Sequence, residues 1–247
     1  MGSEAAVSGQ PLPSTRPAGG ANTAVTIQHL LVRYAKRGKM RFASQLDVAR
    51  AFERGVRRAG LPIAYSSGFT PHPKISYAGG VPTGVASEAE YLSLTLTNRA
   101  EADAVRERLN AALPDGIDVI AVTEDSGGLP ASRLTASQWQ IALPGLPADD
   151  VVPVVDEFLA LTEAPVERLT SKGLRRMDAR AAVVSLEVCS PEGGTALSMV
   201  VRHTVPAVRP EDVLNALRNV SDVFPAAQPL MTRLAQGTLG DSGVVKP

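Results

Sequence analysis

The sequence predicts an α+β protein made of two tandem ferredoxin-like βαββαβ halves. Two observations predict it. Short β-rich runs alternate with amphipathic helical stretches, in the order β-α-β-β-α-β up to about Val122 and again, less regularly, after residue 131. The 247 residues, 44% apolar and only 4% aromatic, supply enough aliphatic side chains for two modest cores.

The elements follow in order. Residues 1–24 hold Gln10-Pro11-Leu12-Pro13 and Pro17-Ala18-Gly19-Gly20, a composition that buries too little surface to offset its ordering entropy, and are expected to be a disordered leader. The first half is placed at 25–125. Ile27 to Tyr34 is a β-rich run, and Ser44 opens a helix with Asp47 three residues on, as in a capping box. Ala49, Phe52, Val56 and Ala59 recur at helical spacing, and Gly60 and Pro62 end the helix. Ile63–Tyr65 is read as the second strand and Ser66–Ser87 as a long loop. Tyr91 to Leu96 reads as a strand, Ala100–Leu113 as a helix and Ile117–Val122 as a strand.

The second half is placed at 131–236, beyond a junction near Asp125–Pro130. Gln138–Leu143 is a strand and Asp149–Leu161 a helix carrying Val151, Val155 and Phe158. Strand runs follow at Val166–Thr170, Val183–Val188 and Leu197–Val205. Pro210 sits in the first turn of a helix through Leu217, and Thr232-Arg233-Leu234 closes the half. Residues 237–247 are expected to be a flexible tail.

Composition narrows the function classes. One cysteine, Cys189, cannot form an intrachain disulfide or ligate an iron–sulfur cluster, and His29, His72 and His203 show no zinc spacing. No cofactor and no metal are expected. No run approaches the roughly 18 apolar residues of a membrane helix, so the expected location is the cytoplasm. The formal net charge is zero, so attraction to a polyanion must come from the distribution of charge.

That distribution is uneven. Lys39, Arg41, Arg50, Arg54, Arg57, Arg58 and Lys74 crowd one stretch, the helix arginines opposite its apolar stripe. Guanidinium forks suit phosphate oxygens, and a solvated helix face is the bland alternative. The run Gly68-Phe69-Thr70-Pro71-His72-Pro73-Lys74 holds His72 between two prolines on a stiff chain. Phe69 could stack a base, and His72 is the sole candidate for acid–base chemistry, with Lys74 or Tyr65 beside it. A rigid connector is the alternative. Glu88 and Glu90, two apart, are read as sharing a strand face and pairing with the helix arginines. Arg175, Arg176 and Arg180 form a second, smaller basic patch, which a solvated hairpin loop explains equally well. Gly79-Gly80 is too short and too isolated for a phosphate loop.

Taken together, Lys39-Met40-Arg41-Phe42, Leu46-Asp47, Ala51-Phe52-Glu53-Arg54, Arg57-Arg58-Ala59-Gly60 and the Gly68–Lys74 run resemble the radical SAM-linked protein family. Ser87 to Leu92, Met177-Asp178-Ala179-Arg180 and Val208-Arg209-Pro210 continue the likeness, which spans Ile27 to about Leu239. The resemblance implies a ferredoxin-like fold and a radical SAM enzyme as partner, and it brings no established catalytic residues. Many relatives carry histidine where this chain has Gln45. The function expected is therefore an RNA-binding accessory protein presenting structured RNA to a radical SAM enzyme. Two alternatives stay open: a metal-independent RNA-processing enzyme using His72, and a protein-docking adaptor without RNA contact.

Overall fold

The computed structural model describes residues 26–125, 133–171, 173–224, 229–240 and 243–244. The expected leader and most of the expected junction lie outside these residues. The fold is mixed α+β, dominated by one mixed eight-stranded sheet in the order β4 (Ile117–Glu124), β1 (Gln28–Lys36), β3 (Ala86–Leu96), β10 (Met231–Gly237), β5 (Ala136–Ala142), β9 (Ala196–Arg202) and β8 (Val183–Cys189), with β2 (Ile75–Ala78) also on β3.

In the first half, β1 (Gln28–Lys36) points Leu30, Val32 and Tyr34 into a core shared with helix α1 (Gln45–Arg58). Phe52 of α1 meets Tyr34 edge-on at 4.7 Å between ring centroids. The start of α1 is fixed locally. Asp47 N–H donates to Ser44 Oγ at 3.2 Å while Ser44 N–H donates to Asp47 Oδ2, also at 3.2 Å. Its end is fixed by Gly60 at φ +58°, where Gly60 N–H donates to Arg57 O and Leu61 N–H to Val56 O, a Schellman closure.

The second strand is not where the sequence placed it. Ile63 and Tyr65 make only isolated bridges, to Leu96 and Pro73, and the paired strand is β2 (Ile75–Ala78), against Tyr91–Leu94 of β3 (Ala86–Leu96). The physical reason is proline: Pro62, Pro71 and Pro73 withhold donors, so a regular ladder forms only beyond them. Helix α2 (Ala102–Ala112) then covers the sheet, and β4 (Ile117–Glu124) pairs with β1.

In the second half, β5 (Ala136–Ala142) lies between β9 (Ala196–Arg202) and β10 (Met231–Gly237). Helices α3 (Ala148–Ala160) and α5 (Pro210–Val220) cover a second core around Phe158, Ile141, Leu197 and Leu217. The run at Val166 does not join the main sheet. It forms β6 (Pro165–Thr170), paired with β7 (Gly173–Asp178) in a separate hairpin. A single helical turn, α4 (Ala179–Ala182), leads from β7 into the edge strand β8 (Val183–Cys189). Within the expected tail, Leu239–Gly240 pairs with Gly243–Val244.

The halves meet along β3. Its beginning pairs in parallel with β10 (Ala86 with Thr232, Ser87 with Arg233), while its later residues pair with β2. One strand edge is thus shared between the two halves, and a cleft opens where the sharing changes hands.

Candidate functional site: a basic helix face and an inter-half cleft

The structure sets Arg50, Arg54 and Arg57 on the exposed side of α1 at spacings of four and three, which makes one row. None of the three guanidinium groups has a hydrogen bond or ion pair among the described residues. Asp47, on the first turn of the same helix, is held below the ordinary carboxylate range first by its bonds from Ser44 and then by the charges of Arg50 and Arg54. Arg58 leaves the row, because its Nη1 donates to Ala112 O at 3.1 Å. Just before α1, the exposed Lys39 and the partly buried Arg41 sit on a 3-10 turn, Gly38–Phe42, with the Arg41 guanidinium 4.6 Å from the Phe42 ring centroid.

The proline-bracketed loop is tied at its base. Lys74 N–H donates to Ala64 O, Ser66 N–H to His72 O, and His72 N–H to Ser66 Oγ at 3.0 Å. Phe69 stands fully exposed at its tip, whereas Tyr77 turns inward against Phe52. The His72 imidazole and the Lys74 ammonium are exposed, with no hydrogen-bond partner among the described residues.

The second-half candidates separate. Arg175 and Arg176 are exposed on β7, but Arg180 donates Nε to Leu159 O at 3.1 Å and Nη1 to Val183 O at 3.3 Å, so its guanidinium pins α4 to its neighbours. No hydrogen bond or ion pair among the described residues joins this patch to the α1 row.

Glu88 and Glu90 do not act as a pair, and neither meets a helix arginine. Tyr34 lies opposite Glu90 but Lys36 opposite Ser87, so β3 carries one extra residue there, a bulge that breaks the alternation. Glu88 is thereby left near the surface, paired with Arg37. Ser87 and Glu90, three apart, both reach Arg233: Nε donates to Ser87 Oγ at 3.4 Å and Nη2 to Glu90 Oε1 at 2.5 Å. The Arg233 and Glu90 side chains are only 5% and 2% exposed, a buried ion pair across the two halves.

Arg233 of this pair also lines a cleft of about 450 Å³. One wall is Gly79 to Thr83 with Val85, and the other is Ser137, Trp139, His203, Met231 and the start of α5. Gly79 has φ +60°, and a Cβ there would stand 2.7 Å from Gln236 Oε1. A Cβ on Gly80 would stand 2.6 Å from Gln45 Oε1. The two glycines therefore let two carboxamides press against the chain. Gly79→Ala is expected to lower stability by about 2 kcal/mol, since a left-handed non-glycine residue is strained and Gln236 is also displaced. Gly84→Ala, with open space around its Cβ, reports the backbone part alone in the same urea titration.

A hydrogen-bond chain crosses the far wall. Trp139 Nε1–H donates to Ser137 Oγ at 2.8 Å, Ser137 Oγ lies 3.1 Å from His203 Nε2, and His203 Nδ1 lies 2.7 Å from Leu134 O. The carbonyl needs a proton on Nδ1, and in the neutral imidazole Nε2 then accepts from the Ser137 hydroxyl. Burial lowers the His203 pKa below 6.5, the positive Arg233 lowers it further, and the Leu134 carbonyl opposes both. The unfolded chain then binds the proton more readily than the native one. Stability from this residue is complete above about 6.5 and declines as pH falls through that value toward the folded pKa. An acid titration of Trp139 fluorescence should show a midpoint below 6.5 that vanishes in His203→Gln.

None of the sequence-predicted site residues lines this cleft. Its members were read as something else: Gly79-Gly80 as too isolated and Arg233 as part of a closing strand, while Glu90, which holds Arg233 from behind, was read as a surface partner. Among the described residues, no group of three or more His, Cys, Asp or Glu gathers as a metal site.

A mixed α+β protein with an arginine-faced helix and an inter-half cleft is the class that fold and site define. The chain belongs to the family described as "Uncharacterized protein conserved in bacteria (DUF2344)", which matches residues 29–210. No curated protein sequence matches it. Among solved structures it is similar to a chain of the "Crystal Structure of a Cbf5-Nop10-Gar1 Complex", at 12% identity and a TM-score of 0.44, over 90% of this chain. It spans about half the length of that chain, 51%.

Proposed function

We propose that the protein is an RNA-binding accessory factor that works in the cytoplasm and presents structured RNA to a radical SAM enzyme. The observation that carries the RNA reading is the row of Arg50, Arg54 and Arg57, exposed and unpaired on one helix face. Unpaired guanidinium groups at helical spacing match successive phosphates, and releasing the counterions around those phosphates drives binding by an otherwise neutral chain. Phe69 at the loop tip adds a stacking surface, and Lys39 and Lys74 add charge. The enzyme partner rests on the resemblance of the Lys39–Lys74 motifs to the radical SAM-linked family. The cytoplasmic location is in keeping with the single cysteine and with described helices none of which is long and apolar enough to cross a membrane.

We read the fold as two ferredoxin-like halves. Supporting this are the strand orders β4-β1-β3-β2 and β10-β5-β9-β8, each the order of a split βαβ unit, the second with the β6–β7 hairpin inserted.

The test is binding of the full chain to a structured RNA and to a same-length neutral backbone analogue at about 50 mM salt. Retention of the RNA alone is the expected result. Equal retention of both, or of neither, overturns the reading.

A further inference from the structure

We propose that the cleft between the halves binds one unstacked nucleobase, with its phosphate at the mouth beside Arg209. The proposal deepens the RNA-binding reading, on which it rests only for the source of the base.

The walls come first. Val81, Pro82 and Val85 face the cleft from one half, and Trp139, Val208 and Met231 from the other. Apolar walls in a cleft of about 450 Å³ suit a flat, mostly apolar body of nucleotide size.

The unused hydrogen-bonding groups narrow the choice. Arg233 Nη1 donates to Gln236 Oε1 at 2.7 Å, which fixes the orientation of that carboxamide, because the reverse would set NH2 against guanidinium. Gln236 is 1% exposed, and its Nε2 is left as a buried donor without an acceptor among the described residues. Glu211 accepts from Arg218 through Oε1 at 3.4 Å, and its Oε2 is a buried acceptor without a donor. Both residues line the cleft. Buried groups left in this state are uncommon and costly. An apolar ligand would satisfy neither, and a small inorganic anion, which only accepts, would leave Glu211 Oε2 without a donor. A nucleobase carries both acceptors and donors on its edges and so can meet either kind of group.

At the mouth stands Arg209, exposed and without an ion pair among the described residues, at the join between the cleft and a neighbouring depression lined by Gln45 and Tyr77. Its charge is placed for the phosphate that a nucleotide carries. The base has two sources, a free mononucleotide or a nucleotide swung out of an RNA strand.

Trp139, the only tryptophan of the chain, reports occupancy directly. The full-length protein is titrated with AMP, GMP, CMP and UMP, with inorganic phosphate as the anion control, following Trp139 emission and confirming by calorimetry. At least one mononucleotide is expected to saturate where phosphate does not. Gln236→Glu keeps the acceptor for Arg233 but replaces the donor, and should weaken that affinity by about tenfold or more. Thr83→Trp fills the exposed mouth and should abolish binding, and its folding is verified by circular dichroism. If no mononucleotide binds, but Thr83→Trp lowers affinity for single-stranded RNA at least about tenfold, the base comes from RNA and the proposal stands. Phosphate binding as tight as the nucleotides overturns it. So does RNA binding indifferent to Thr83→Trp in a chain that takes no mononucleotide, a result that leaves the α1 arginine row untouched. Mononucleotide binding by a chain that holds no RNA would sink the arginine reading and leave the cleft standing.

Discussion

Arg233→Ala is expected to destabilise the protein by about 3–5 kcal/mol, a large fraction of what a typical domain possesses. Arg233 sits on β10 and Glu90 on β3, in different halves, and both are buried. Removing the guanidinium leaves a buried carboxylate whose remaining support is the Val81 N–H at 3.3 Å and the charge of Lys36. The same change frees the Gln236 carboxamide and removes the cation 5.7 Å from the Trp139 ring centroid. The parallel pairing of β3 with β10 spans only two residue pairs, so the ion pair adds a buried side-chain link where the backbone coupling between halves is short. Urea unfolding followed by Trp139 fluorescence, which sees the second half, and by far-ultraviolet circular dichroism, which sees both, should coincide in the wild type and separate in Arg233→Ala. Glu90→Met with Arg233→Met should recover only part of the loss, since it removes the stranded carboxylate but takes from the buried Lys36 the charge that faces it.

The second large effect concerns the helix face. Reversing Arg50, Arg54 and Arg57 to glutamate together is expected to weaken RNA binding by at least about a hundredfold near 50 mM salt. It should also flatten the salt dependence of what remains by about two to three units of slope. The three side chains are exposed, so the fold should tolerate the change, and a matching melting temperature checks that it does. His72→Ala serves as the contrasting variant. Its imidazole is exposed and makes no hydrogen bond or ion pair to a described residue, so a change in RNA integrity rather than affinity would revive the processing-enzyme alternative.

How much of this was legible beforehand depends on how local each signal is. The Ser44–Asp47 box and Gly60 act within a turn of their own helix, and α1 lies between them as the sequence predicts. The arginine row was legible for the same reason, as helical spacing alone decides which side chains share a face. Strand β2 was not, because Ile63–Tyr65 is as β-prone as Ile75–Ala78 and only pairing with β3 distinguishes them. The β6–β7 hairpin was half read: its strand at Val166 was seen, but its basic partner looked like a loop. The cleft was invisible because Glu90 and Arg233 lie 143 residues apart, and because the bulge at Ser87–Glu90 overturns the two-residue alternation on which any reading of Glu88 and Glu90 relied.

The most direct measurement is the affinity of the wild-type chain for a structured RNA as a function of salt. If unpaired guanidinium groups on α1 grip phosphates, the logarithm of the association constant falls linearly with the logarithm of salt, at a slope of about −2 or steeper. A flat line, or no detectable complex at the lowest salt, would contradict it.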